Sequence, residues 1–191
     1  MASRRGRTPP TVTPLSSTPV SSAANGSGSP LVTSPGNEPV TVVHLAAELA
    51  PFARTGGLGE AVSSLAHYQA RSGITSVIIM PLYKQVVEVA TDLEPVSEPF
   101  TVQVGPRREE GRLYESRALM GNPGHGKPRI LFIHNPEYFG RDQIYGDSRG
   151  DYPDNHRRFA FFCLAALTVL PEVAKAPVLL HAHDWHTALA P

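Results

Sequence analysis

The chain predicts an α/β fold, a mostly parallel sheet with an antiparallel β-hairpin insertion, and three observations predict it. Short β-branched runs, residues 40–46 and 77–80 among them, alternate with longer segments whose apolar residues recur every three or four positions. A strand and a helix of this kind are joined by the glycine-rich turn Arg54-Thr55-Gly56-Gly57-Leu58-Gly59-Glu60. Two runs of alternating polarity, 100–104 and 112–119, flank residues 105–111 and read as a hairpin. Strands connected through helices pair in parallel, and a hairpin adds antiparallel pairing.

Taken in order, residues 40–46 open the domain as a strand. Leu58, Ala61, Val62, Leu65, Ala66 and Gln69 then fall on one face of a helix, with Gly73 as its stop. Residues 75–80 form a second buried strand that Pro81 ends, and the β-branched stretch 86–91 reads as a further strand. After the hairpin, residues 129–134 are a buried strand closed by Asn135-Pro136. Residues 138–152, rich in Gly, Asp and aromatic residues, read as a long functional loop. Pro153 suits the first turn of a helix running to about 173, with Asp151 and Asp154 near its positive end. Its stripe of Phe159, Phe162, Cys163, Ala166, Leu167 and Leu170 is widened by Phe161 and Leu164, which predicts burial on two sides. Residues 178–182 make the last strand, and 184–190 begin another helix.

The 191 residues carry 17 basic and 17 acidic side chains, so no electrostatic attraction to nucleic acid or to an anionic membrane is expected. A single cysteine, Cys163, excludes an internal disulfide framework and reads as a buried structural thiol. No apolar run approaches the roughly 20 residues of a membrane span. Residues 1–39 form a Ser/Thr/Pro-rich tail, acid-free as far as residue 37, with Arg4, Arg5 and Arg7 as its cations. That composition predicts disorder, because it offers too little apolar surface to offset ordering. The expectation is a cytoplasmic, bacterial protein. An organellar transit peptide is the alternative, plastid rather than mitochondrial, because prolines at 9, 10, 14 and 19 prevent a continuous amphipathic helix.

The glycine-rich turn lies where bare backbone N–H groups and a helix dipole can meet an anion, and Arg54 adds a full cation. It matches neither the dinucleotide fingerprint nor a P-loop. A phosphate or sugar phosphate is the simplest cargo; a plain tight connection is the alternative. The last strand ends in His181-Ala182-His183-Asp184-Trp185-His186, which invites comparison with the H-x-H-x-D-H zinc hydrolases. The spacing misses by one, so no metal site is expected. One or two of these histidines, His181 first, are expected to satisfy backbone groups at the strand end.

Four segments together resemble the N-terminal part of bacterial glycogen synthases and plant starch synthases, the ADP-glucose-using glycosyltransferases of family 5. Residues 48–59, ELAPFARTGGLG, resemble the family's E-x-x-P-x-x-K-T-G-G-L-[AG]; 80–83, MPLY, its P-x-Y segment. Residues 135–146 with 151–162 resemble N-P-x-Y-F-x-R…Y-G…D-N-x-x-R-F, and 181–191 resemble H-A-H-D-W-[HQ]-x-x-L-A-P. The order is preserved from residue 40 to 191.

The resemblance implies a GT-B architecture of two Rossmann-like domains facing across a cleft, with residues 40–191 in the first. It implies transfer of glucose from ADP-glucose to the non-reducing end of an α-1,4-glucan, with retention, without a metal or other cofactor. Arg54 stands where the family usually has a phosphate-contacting lysine, exchanging a flexible point charge for a rigid fork. By the same resemblance, Gly56 and Gly57 supply amides to the donor, Asp184 is the acidic catalytic residue, and Glu48 and Tyr145 line the cleft. The remaining active-site groups of the family fall beyond Pro191, so these residues alone are expected to be an inactive fragment. A non-catalytic glucan-binding or regulatory module is the alternative, and UDP-glucose stays open as donor.

Overall fold

The computed structural model describes residues 39–90, 92–116, 126–175 and 177–191. The expected tail, apart from Pro39, lies outside the described residues. Strand β1 (Thr41–Leu45) leads through the turn to helix α1 (Leu58–Arg71) and strand β2 (Thr75–Pro81). α1 stops at Ser72, and Gly73, at φ 85°, makes the reversal that its missing Cβ permits. Helix α2 (Lys84–Val89), strands β3 (Leu93–Pro95), β4 (Phe100–Val104), β5 (Arg107–Ser116) and β6 (Arg129–His134) follow. Helical turn α3 (Pro136–Phe139), strands β7 (Gly146–Asp147) and β8 (Gly150–Asp151), helix α4 (Asn155–Val173), strand β9 (Val178–Ala182) and a 3₁₀ turn at Trp185–Thr187 complete the chain.

Seven strands form one sheet in the order β3-β5-β6-β2-β1-β9, with β4 paired to β5. The β6-β2-β1-β9 block is parallel, and the β5 pairings to β3, β4 and β6 are antiparallel. The step β1→β2 and the step β6→β9 run in opposite directions across the sheet. Right-handed crossovers therefore put α1 and α4 on opposite faces. β2 accordingly is buried from Ser76 to Pro81, as a strand covered on both sides must be. α1 buries Gly59, Val62, Ala66 and Ala70; α4 buries Phe159, Phe161, Phe162 and Cys163. The buried state of Cys163 and the widening of the α4 stripe by Phe161 are borne out, but Leu164, expected to widen it too, is exposed.

Several expectations fail locally. Residues 86–91 were expected as strand, but Lys84–Val89 is α2: Val87 N–H donates to Tyr83 O at 3.3 Å and Ala90 N–H to Val86 O at 2.8 Å. Val86 is fully buried while Val87 and Val89 are exposed, so burial of one valine per turn overrides β-branched propensity. The hairpin loop shrinks from 105–111 to Gly105-Pro106, and β5 starts at Arg107, opposite Val104. Gly105 at φ 59° suits a two-residue hairpin. The polar run Arg107–Glu110 stays in the ladder because Glu109 turns inward and accepts a 2.7 Å hydrogen bond from the Tyr138 hydroxyl. The expected continuation at 117–119 lies outside the described residues. β3, absent from the sequence reading, is a three-residue edge strand on β5. The 138–152 loop contains the last two residues of α3 and the small β7–β8 ribbon. The helix expected from 184 is only the turn Trp185–Thr187.

Among the described residues no helix is long and apolar enough to cross a membrane.

Candidate functional site

β1 and β9 lie side by side, His44 opposite His181 and Leu45 opposite Ala182, so residues 46–57 and 183–187 leave the sheet together. The connection after β1 runs through α1 to β2 on one side, and β9 lies on the other. Open α/β sheets hold ligands in the crevice at such a reversal, beyond the carboxyl ends of the strands.

Glu48, three residues past β1 and 4 % exposed, turns its carboxylate into the glycine-rich turn. Its Oε2 accepts from the amides of Thr55 at 2.8 Å and Gly56 at 3.3 Å. Its Oε1 accepts from the hydroxyls of Thr55 at 2.9 Å and Tyr145 at 2.7 Å. Burial pushes this carboxyl up, but the hydrogen bonds from Thr55, Tyr145 and Gly56 outweigh burial and hold it below its ordinary value. The turn therefore already holds an anion, the protein's own.

The three glycines divide their work. A Cβ on Gly59 would meet Arg54 Cβ at 3.1 Å and Ala50 N at 3.2 Å, and Ala50 N–H donates to Gly59 O at 3.2 Å. Gly59 thus lets α1 close onto residues 49–50. Gly56 and Gly57 have open space where a side chain would be. Gly57 is the N-cap of α1 and provides no side-chain cap, so the first-turn amides keep no partner from that side. Arg54 is exposed beside them and pairs with Glu60 of the same first turn.

Tyr145 reaches Glu48 from the long loop because α4 anchors that loop. Asn155 donates through Nδ2 to Tyr145 O at 2.7 Å and accepts from Arg158 Nη1 at 2.6 Å. Arg158, fully buried, also donates to the carbonyls of Tyr138 at 2.7 Å and Ile144 at 2.9 Å. Its guanidinium lies 5.1 Å from the Tyr152 ring centre. A bidentate pair of Arg141 with Asp154, 2.7 and 2.6 Å, ties down the other end. The Tyr145 ring stacks on His186 at 4.6 Å, and burial with the bond to Glu48 pushes its phenol well above its ordinary range.

Asp184 sits past β9 at φ 64°, ψ 177°, a region that side chains avoid and that costs about 1–3 kcal/mol. Its carboxylate accepts the Trp185 amide at 2.6 Å. Thr187 locks the bend, its hydroxyl donating to His183 O at 2.8 Å and its amide to Asp184 O at 3.2 Å. The surrounding bonds hold this strained conformation in place. His186 is 4 % exposed, and its Nδ1 has no hydrogen-bond partner among the described residues. Burial lowers its pKa.

Glu48, Tyr145, Asp184, Trp185 and His186, with residues 151–153, 155 and 156, line one cavity of about 520 Å³. Sequence positions 48, 145 and 184 thus meet in one place. Gly56 adjoins it through its bond to Glu48, while Arg54 and Gly57 are not in its lining. His186, Asn155, Arg158 and Arg141 were given no role by the sequence reading. For Arg158 two signals were available, an arginine inside the apolar stripe of α4 and its place in the D-N-x-x-R-F motif. The strand-end histidines also have company that the sequence concealed. His44 Nδ1 lies 2.9 Å from His183 Nε2, and the His181 ring stacks on His183 at 4.0 Å. Burial pushes His44 down, and burial together with His181 and His44 pushes His183 to about 4.

Residues 41–191 match the model of the starch synthase catalytic domain. The chain belongs to that family. Glycogen synthase of Syntrophotalea carbinolica is 38 % identical over 152 residues, covering 80 % of this chain and 30 % of that protein. Glycogen synthase 2 of Geobacter sulfurreducens is 38 % identical over 150 residues, again 30 % of its length. Among solved structures, the catalytic domain of starch synthase IV from Arabidopsis thaliana, bound to ADP and acarbose, superposes with a TM-score of 0.62 at 30 % identity. It covers 80 % of this chain and 29 % of that one. The chain thus spans about three tenths of the relatives it matches. The starch synthase fold accounts for the parallel block, whose strand ends carry the cavity.

Proposed function

We propose that residues 40–191 form the N-terminal domain of an α-glucan synthase. Its reaction moves glucose from ADP-glucose to the non-reducing end of an α-1,4-glucan with retention, and a second GT-B domain supplies most nucleotide contacts. The observation that carries this reading is the convergence of Glu48, Tyr145 and Asp184 on one cavity in a chain of the starch synthase family. The Arabidopsis relative is bound to ADP and acarbose, which fits a nucleotide-sugar donor and a glucan acceptor.

In this reading each residue has a physical task. Arg54 and the uncapped first turn of α1 face the donor diphosphate and stabilise the charge that builds as it leaves. The phosphate competes with Glu60 for Arg54, so donor binding swings the guanidinium off its present partner. Glu48 fills the inner side of the turn and holds it open for Gly57 and the α1 amides to serve the ligand. Asp184 presents a carboxylate to a sugar that gains positive charge in the transition state. Tyr145, clamped between Glu48 and His186, forms the wall against which the sugar is oriented.

The test uses these residues joined to the second domain of a relative, with ADP-glucose or UDP-glucose and glycogen. Glucose transfer from ADP-glucose, lost on Asp184→Asn, is expected. A polypeptide of the 191 residues alone is expected to give no transfer. Unchanged turnover in Asp184→Asn, or transfer from UDP-glucose only, would overturn the proposal.

A further inference from the structure

Across the carboxyl ends of β1 and β9, on the α1 side of the sheet, three histidines meet. His44 is fully buried, and His181 and His183 are half-buried. One ring nitrogen of each lies within 4.8 Å of the others. None of the three lines the 520 Å³ cavity. Parallel pairing puts His44 opposite His181, and the alternation of a strand returns His183 to the same face.

We propose that His44, His181 and His183 form a binding site for a divalent transition metal, zinc in the first instance. The His44 ring is oriented as a metal-ligating imidazole is. Its Nε2 lies 2.7 Å from the Gln69 side-chain oxygen, which can only accept, so Nε2 carries the proton and Nδ1 presents a lone pair. That lone pair faces His183 Nε2 at 2.9 Å. Zinc holds imidazole nitrogens at about 2.0–2.1 Å, so tetrahedral ligands lie roughly 3.3 Å apart. To reach that spacing the His44–His183 pair opens by a few tenths of an ångström, and the His181 nitrogen, within 4.8 Å of the other two, closes in on them. Three histidines leave a fourth position for water, and the imidazole set suits zinc, cobalt or nickel better than calcium or magnesium.

Such an ion would act as a clamp and not as a reagent. It would join β1 to β9, and through Gln69 to α1, one residue before Asp184 and four before Glu48. The proposal does not rest on the transferase reading, and its test measures metal, not turnover.

The full chain, stripped with a chelator and dialysed, is titrated with Co²⁺ and then with competing Zn²⁺. One equivalent of Co²⁺ with visible d–d absorption, displaced by Zn²⁺, is expected, together with a higher urea midpoint. His183→Asn and His181→Asn, at half-buried positions, should abolish that equivalent while circular dichroism stays unchanged. Gln69→Ala should weaken binding about 10–100-fold through the lost orientation of His44. The proposal is overturned if the wild type takes up no more Co²⁺ than the His183→Asn chain. It is equally overturned if either histidine variant, still folded, retains the absorption.

Discussion

Replacing Glu48 by glutamine tests whether the glycine-rich turn is organised by a buried charge. The fixed donors, the amides of Thr55 and Gly56, require an acceptor, so the glutamine carbonyl must face them. Its NH₂ then faces the hydroxyls of Thr55 and Tyr145, which can rotate to accept. The bonds survive and the charge is lost. A hydrogen bond to a charged group contributes about 1.5–3 kcal/mol and a neutral one about 0.5–1.5 kcal/mol, a difference of roughly 1 kcal/mol each. Thr55 and Gly56 are exposed, where water competes, so the four bonds count as about two. The expected loss is about 1–2 kcal/mol at pH 7. Urea unfolding followed by Trp185, the single tryptophan, reads it, because that ring packs edge-on to Phe159 at 5.3 Å.

The pH dependence gives the sign. The folded-state pKa of Glu48 lies below the ordinary 4.5, so its charge stabilises the fold fully above that value. The benefit fades as pH falls from 4.5 through the lower folded-state value. The gap between wild type and Glu48→Gln should therefore be largest near neutrality and close in acid. Equal midpoints at pH 7, or a gap that widens below pH 4.5, would refute the reasoning.

Gly59→Ala and Gly56→Ala should separate packing from binding. The first forces backbone at 49–50 to move and should cost about 1–3 kcal/mol in urea unfolding despite the better helix propensity of alanine. The second meets no atom within 4 Å and should leave stability within about 0.5 kcal/mol while weakening donor use in the two-domain enzyme. Arg54→Ala breaks only an exposed pair and should change stability by less than about 1 kcal/mol, yet raise the Michaelis constant for ADP-glucose more than that for glycogen. Arg158→Met removes the buried guanidinium that holds the carbonyls of Tyr138 and Ile144. It should cost about 3–5 kcal/mol, read as a lower melting temperature and faster proteolysis between 140 and 152. Asp184→Gly relieves the positive φ, so stability should hold or rise while transfer is lost; a fall above about 2 kcal/mol would show that the bend is not strained.

Local patterning determined the elements whose burial follows from their own composition. β1, β2, β6 and β9 are apolar runs bounded by Gly, Pro or Asn, and α1 and α4 carry three- and four-residue periodicity, so their existence needed no partner. The motif positions Glu48, Arg54, Gly56, Gly57, Tyr145 and Asp184 were legible by resemblance. Residues 84–89 were not, because one buried valine per turn is a fact about what lies beneath the helix. Nor were residues 107–111, a polar run whose one inward-turned side chain, Glu109, meets its partner Tyr138 only in the folded chain.

Tertiary structure alone decided which distant groups meet. Strand order put β9 beside β1, which brought residues 44 and 183 within 2.9 Å and set Asp184 near Glu48. The anchoring of the long loop by Arg158 and Asn155 delivered Tyr145 to that carboxylate. Periodicity reports the neighbours a residue has along its own element. Contacts across a sheet depend on how elements are ordered in space, and no local pattern carries that order.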